Sequence, residues 1–190
     1  QSFLKTINDK KINADVIISN KAEDIKSATH IVLPGQGAFK SCIEGLKKIN
    51  GIIPALENAV LKNKIPFLGI CVGMQLLADK GFENGEQKGL GWIKGSIKKL
   101  NLKELKLPHM GWNSVEIKKN NLNFSFNFKK NDFYFVHSYY FDCIDKKNIV
   151  GLTNYGLIFP SIVAKENIYG VQFHPEKSSY QGLQLINNFL

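Results

Sequence analysis

The stretch Ile65–Leu77, IPFLGICVGMQLL, decides the reading of this chain. Ile65, Phe67, Leu68 and Ile70 form a short apolar run after Lys64, and its length and flanks fit a buried strand better than a helix. Gly69 and Gly73 stand two residues either side of Cys71. That spacing predicts a sharp strand-to-helix elbow in which backbones approach too closely for a β-carbon. Met74, Leu76 and Leu77 predict the buried face of the helix that follows, whose first turn presents N–H groups that favour negative charge on sulfur. The elbow thus marks Cys71 as a candidate nucleophile; the plain alternative is a buried cysteine in an ordinary crossover.

Working upstream, His30–Leu33 (HIVL) reads as a parallel strand covered on both faces, and Ala14–Ser19 (ADVIIS) as another strand. Phe3, Leu4 and Ile7 share a helical face. Phe39–Ile49 and Ile52–Leu61 have helical periodicity, split at Asn50-Gly51, with Pro54 in the first turn of the second piece. Strand, helix, strand, helix predicts an α/β fold whose reactive loops gather at the carboxyl ends of the strands. Pro34-Gly35-Gln36-Gly37 then lies at the same edge as Cys71. Its N–H groups, with that of Val72, could face an oxyanion; a plain β-to-α turn is the alternative.

Downstream of Gly81 short β-prone runs follow one another: GWIKGSIKKL, GWNSVEIKK, DFYFVHSYYFD and IVGLTNYG. They predict an added antiparallel β region. Phe159–Ala164 and Ile168–Phe173 flank Lys165-Glu166-Asn167 as a hairpin. Ser178–Leu190 reads as a closing helix with Leu183, Ile186, Asn187 and Leu190 on its packed face. Phe173-His174-Pro175-Glu176 ends the hairpin. In extended backbone, residues two apart share a side, so Glu176 could hold the imidazole of His174 while His174 exchanges a proton with Cys71. A surface turn is the bland reading of the same four residues.

Composition narrows the classes. With 190 residues, 44% of them hydrophobic, the chain can bury one sizeable core, so a single domain over 1–190 is expected. No segment has the length of a membrane span or the apolar core of a signal peptide, which predicts a cytoplasmic protein. Cys42, Cys71 and Cys143 are far apart and have no metal-ligand spacing, so neither a disulfide framework nor a metal site is expected. The net charge of +9 raises nucleic-acid binding, but the lysines fall in isolated doublets such as Lys98-Lys99 and Lys146-Lys147, without interleaved aromatics. No nucleic-acid partner is expected.

LPGQGAF, GICVGMQLL and FHPEKS, in this order, resemble the class I, Cys-His-Glu glutamine amidotransferases. PHMGWN (108–113), FVHSYY (135–140) and HPEKSS (174–179) are similar to one subfamily, the glutaminase subunits of imidazole glycerol phosphate synthases. The resemblance covers essentially the whole chain. It implies a flavodoxin-like mixed sheet flanked by helices, with Cys71 as nucleophile, His174 as general acid/base and Glu176 as its partner. It further implies an oxyanion hole around Gly35, Gln36 and Val72, and a glutamine site at Gln75 and Glu83, beside His137, Ser138 and Tyr139. No metal or organic cofactor is implied. The family opens with a strand and a Gly-Asn turn that this sequence does not contain, so the chain is expected to start just after them.

The implied partner is a (β/α)8-barrel cyclase that consumes the ammonia in histidine biosynthesis. Lys177 follows Glu176 directly, and His109, Met110 and Trp112 have the composition of a buried contact, so these four are expected at the cyclase interface. Trp112 could instead lie in the core of the second sheet. The rival functions are the same glutaminase serving another synthase, such as a sugar-modifying amidotransferase, a cysteine hydrolase or protease built on the elbow, and a non-catalytic binding module.

Overall fold

The computed structural model describes residues 14–118 and 131–190. The expected helical face at Phe3, Leu4 and Ile7 lies outside them. The chain enters through α1 (Ala22–Ser27), β1 (Ile31–Gly35), α2 (Phe39–Lys48) and α3 (Ile52–Glu57). Gly51, at φ 71°, separates the two helices, and α3 runs on through a π-helical turn over Asn58–Lys62. Then come β2 (Phe67–Cys71) and the single-turn α4 (Val72–Gln75), followed by β3 (Lys80–Gly81), β4 (Gln87–Lys88) and β5 (Gly95–Lys99). The remaining strands are β6 (His109–Ser114), β7 (Glu116–Ile117), β8 (Asp132–His137), β9 (Tyr139–Cys143), β10 (Ile149–Asn154), β11 (Ile158–Lys165) and β12 (Ile168–Val171). A 3₁₀ turn, Pro175–Lys177, leads into α5 (Ser179–Phe189).

Six strands form the central sheet in the order β1-β2-β12-β11-β10-β7. β1, β2 and β12 run parallel, and β11, β10 and β7 extend them in antiparallel fashion. β2 is buried at every residue, whereas β1, with one ladder neighbour among the described residues, is only partly covered. Its expected burial on both faces is therefore corrected. A four-stranded sheet, β4-β3-β5-β9, and the β6–β8 ribbon make up the added β region. The β11–β12 hairpin turns at Glu166-Asn167, and Asn167 Nδ2 donates to Val60 O and Ile65 O, tying that turn to the end of the π-helical segment.

Three further expectations change. Ala14–Ser19 forms no strand, and Ile17 and Ile18 are 69% and 63% exposed; β-branched residues favour a strand only where a ladder partner and a covered face exist. The helix after Cys71 is one turn rather than several. Met74, Leu76, Leu77 and Ala78 are all buried, and Leu77 N and Ala78 N close onto carbonyls three residues back, so an apolar run buried on every side winds tightly and stops. The packed face of α5 is Gly182, Leu185, Ile186 and Phe189, rotated from the expected one, and Asn187 is exposed. The rotation has a steric reason. A β-carbon on Gly182 would lie 1.8 Å from Pro175 O, so the helix seats this glycine against the 3₁₀ turn.

Candidate functional site

At the carboxyl edge of the parallel strands, the β1–β2 register sets Gly35 directly beside Cys71. The glycines of the elbow interlock there. A β-carbon on Gly73 would lie 1.8 Å from Leu33 O, one on Gly69 2.6 Å from Gly73 O, and one on Gly35 2.6 Å from Gly73 N. Cys71 itself has φ 54° and ψ −110°. A side chain in that region is strained, and the packed glycines around it hold the strain in place. The elbow geometry expected from G-x-C-x-G is thus present, with Cys71 at the start of α4.

His174 stands across from Cys71 and is 3% exposed. Its Nδ1 lies 2.9 Å from Glu176 Oε1. This contact spans the start of the 3₁₀ turn and not an extended strand, so the expected pairing is present while the backbone that produces it differs. Two bonds hold the loop to β8: His174 N donates to Tyr134 O, and Tyr134 N donates to Ser178 Oγ. Ser178 Oγ also donates to His174 O. Burial works against a charged imidazole at His174, but hydrogen bonding to Cys71 and Glu176, and the charges of both, outweigh it and push its pKa up to about 9. Burial likewise opposes ionisation of Glu176, and its bond to His174 prevails and holds the carboxyl below its usual range.

These groups border a cavity of about 410 Å³ lined by Gly35, Gln36, Cys71, Val72, Gln75, Glu83, Ser138, Tyr139, His174 and Lys177, with Gly37, Pro108, Val136 and His137 completing the wall. Glu176 sits behind His174. Glu83 Oε2 accepts the Phe39 N–H at 2.7 Å, capping α2 where Ala38 offers no side-chain acceptor. Gln75 is 3% exposed, and its Nε2 reaches Tyr139 O and Gln172 Oε1, each at 3.1 Å. Gln172 escapes the sequence reading, although a lone amide within the buried run Val171-Gln172-Phe173 was its signal. Its Nε2 lies 3.7 Å from Cys71 Sγ.

The expected interface residues separate. Along β6 the side chains alternate, so Met110 and Trp112 point outward, 61% and 56% exposed, while His109 points in and is 2% exposed. His109 stacks between Phe135 and Tyr155, and its expected place on an outer contact surface is corrected. Trp112 packs edge-on to Tyr134, at 6.2 Å between ring centres, and that same Tyr134 anchors the His174 loop. Lys177 is exposed at the cavity rim.

His109 belongs to an inner chain. Its Nδ1 lies 2.9 Å from His137 Nε2, His137 Nδ1 lies 2.8 Å from Tyr139 O, and Asn113 Nδ2 lies 3.2 Å from His109 Nε2. A carbonyl only accepts, so His137 carries its proton on Nδ1, and His109 on the nitrogen facing it. Burial drives both imidazoles toward the neutral form, His109 down to about 4 and His137 to about 3.

Taken together, a strained cysteine, an imidazole kept cationic beside it, a buried carboxylate and a polar cavity of substrate size suit nucleophilic attack on a small carbonyl compound. The model of the family "Glutamine amidotransferase class-I" matches residues 5–190. A protein of Pelagibacter ubique described as imidazole glycerol phosphate synthase subunit HisH is 46% identical over 191 residues, covering 100% of this chain and 90% of its own. A second such subunit, HisH 2 of Methanococcus maripaludis, is 50% identical over 183 residues, with 95% and 89% covered. Among solved structures, a glutamine amidotransferase superposes with a TM-score of 0.70 at 17% identity, covering 98% of this chain and 90% of that one. The glutaminase domain of Trypanosoma brucei CTPS with bound acivicin gives 0.64 at 16% identity, with 99% and 85% covered. The match of a family model to nearly the whole chain, on a fold that carries this site, makes the chain a member of the class I glutamine amidotransferase family.

Proposed function

We propose that this chain is the glutaminase subunit of an imidazole glycerol phosphate synthase, releasing ammonia from glutamine for a (β/α)8-barrel cyclase. The buried His174–Glu176 pair beside the strained Cys71 carries the catalytic part of this reading. The names and coverage of the relatives support the synthase part. In the proposed reaction the Cys71 thiolate attacks the γ-carboxamide carbon of glutamine, forming a C–S bond and an oxyanion. N–H groups around Gly35, Gln36 and Val72 are the proposed oxyanion donors. His174, as the imidazolium, gives its proton to the departing nitrogen, and the C–N bond breaks to release ammonia and leave a γ-glutamyl thioester. Neutral His174 then takes a proton from water, hydroxide adds to the thioester, and glutamate leaves as the thiolate returns.

Gln75, Glu83, Ser138 and Tyr139 are proposed to bind glutamine in the cavity. The Glu83 carboxylate, already oriented by Phe39 N, suits an α-ammonium group. Met110, Trp112 and Lys177 are proposed to meet the cyclase, because Met110 and Trp112 are exposed on one face of β6, Met110 pairs with the cavity-lining Val136, and Lys177 lines the cavity. Glutamate release with and without the cyclase and its nucleotide substrate tests the assignment. Strong stimulation by both is expected, and a chain that ignores the cyclase would overturn the synthase reading. Lys177→Ala and Trp112→Ala are each expected to weaken cyclase binding or leak ammonia, with a cost of about 1–3 kcal/mol; titrations unchanged for both would remove this interface.

A further inference from the structure

We propose that Gln172 is a catalytic hydrogen-bond donor to the Cys71 sulfur, locked in its donating orientation by Gln75. The inference rests on Cys71 being the nucleophile. Gln172 is fully buried and stands outside the cavity lining, with Nε2 3.7 Å from Cys71 Sγ, a distance that suits N–H to sulfur. The two ends of an amide have nearly the same shape, so the surrounding network must say which end faces the sulfur. Tyr139 O can only accept, and the Gln75 atom 3.1 Å from it must therefore be its nitrogen. That same nitrogen lies 3.1 Å from the near end of the Gln172 amide, which must then be the carbonyl oxygen. The Gln172 NH₂ is left facing Cys71. A flipped Gln172 would set two NH₂ groups against each other and a carbonyl oxygen against the sulfur, and both contacts are unfavourable.

The orientation has deeper support. Tyr139 O also accepts from His137 Nδ1, so its two lone pairs are both engaged, and the chain continues through His109 to Asn113. Every donor along this path has a defined acceptor. A hydrogen bond to sulfur strengthens when the sulfur bears charge and weakens when it is acylated. Gln172 therefore favours the thiolate, both before attack and when it leaves in deacylation, from a position where it makes no substrate contact.

The test is alkylation of Cys71 by iodoacetamide as a function of pH, followed by peptide mass mapping so that Cys42 and Cys143 are read separately. In Gln172→Met the rate near neutral pH is expected to fall about tenfold and to meet the wild-type rate at high pH, as loss of a charge-assisted bond predicts. With glutamine, kcat is expected to fall by a similar factor while KM stays. Gln75→Met is expected to slow alkylation severalfold and to add nothing in the Gln172→Met background, because it acts through the same amide. Should the methionine variant not fold, Gln172→Asn keeps a buried amide and withdraws its N–H from the sulfur, with the same slowing expected. Wild-type alkylation at every pH, or losses at Gln75 and Gln172 that multiply, would overturn the proposal. Alkylation needs no glutamine, so this failure is distinct from failure of the glutaminase reading, which would show as no glutamate release by the wild-type chain with its cyclase, and from failure of the nucleophile assignment, which would show as hydrolysis surviving in Cys71→Ala.

Discussion

Two imidazole groups flank the cavity, both buried, and they are driven in opposite directions. His174 faces the Glu176 carboxylate at 2.9 Å and is held cationic up to about pH 9. His109 and His137 face each other, a backbone carbonyl and the Asn113 amide, and stay neutral down to about pH 4 and 3. Burial alone disfavours the charged form at all three. The difference is the partners: the Cys71 sulfur and the Glu176 carboxylate together repay the desolvation of an imidazolium, whereas neutral acceptors at similar distances do not. One fold thus holds a cationic imidazole beside the proposed nucleophile and an uncharged, oriented scaffold on the segment that shapes the cavity wall.

The largest expected effect removes what the first group serves. Cys71→Ala is expected to abolish glutamine hydrolysis while synthesis from added ammonia by the complex persists; hydrolysis near the wild-type rate would end the assignment. Next comes the partner that sets His174 apart. Glu176→Gln keeps the shape and removes the charge, so the His174 pKa is expected to drop by more than one unit and kcat to fall about 10²–10⁴-fold. NMR titration of the His174 ring and steady-state kinetics read the two effects. A His174 that still titrates near 9 in the variant would break the comparison.

Stability against pH sharpens it further, because the two groups have opposite signs. His174 has a raised folded pKa, so the stability it contributes is complete below about 6.5 and is lost as pH rises from there through about 9. His109 and His137 have depressed pKa values, so unfolding takes up protons and stability is lost as pH falls from about 6.5 toward 4 and 3. Glu176, also depressed, adds to the acid loss at lower pH. Each imidazole is expected to contribute on the order of 1–3 kcal/mol over its window. Urea midpoints measured from about pH 4 to 10 are expected to fall at both ends, and Glu176→Gln is expected to flatten the alkaline arm and leave the His109–His137 part of the acid arm.

The charged group was legible in the sequence and the neutral one was not, for a physical reason. Cys71 with its glycines and His174 with Glu176 are local patterns, readable because the steric demand of a tight elbow and the reach of a side chain two residues away act over a few residues. The backbone behind the second pattern was still misjudged, since Pro175 opens a 3₁₀ turn. His109 pairs with His137 only because β6 and β8 zip with these residues opposite each other, which no local pattern announces. Strand alternation in HMGWN did separate His109 from Met110 and Trp112, and reading it strictly would have turned His109 inward. The α/β order was plain from periodicity, whereas ADVIIS, with no ladder partner among the described residues, forms no strand despite its β-propensity. Gln172 needed three dimensions, because only there does it meet Gln75 and Cys71, 97 and 101 positions away.

The smallest expected effect inverts the comparison by giving the neutral group a carboxylate. Asn113 Nδ2 lies 3.2 Å from His109 Nε2 and also donates to Asn154 O at 2.9 Å, while Asn113 Oδ1 accepts the Ser114 N–H at 2.8 Å. In Asn113→Asp one carboxylate oxygen can keep Ser114, and the other takes the place of the amide nitrogen, facing both His109 and the Asn154 carbonyl. Two oxygens then oppose each other, and the lost donor costs about 1–2 kcal/mol at neutral pH. Protonating His109 at Nε2 relieves part of that cost by placing an N–H against the new carboxylate. Its pKa is therefore expected to rise from about 4 by roughly one to two units, while His137 keeps its proton on Nδ1 for Tyr139 O and remains neutral. The acid arm of the stability profile is expected to become shallower, because the His109 share still begins near 6.5 but closes at a higher pH than about 4, and the nitrogen shifts of His109 report the change directly. A His109 midpoint that does not move would show that burial, and not the partner, decides the charge of an imidazole in this core.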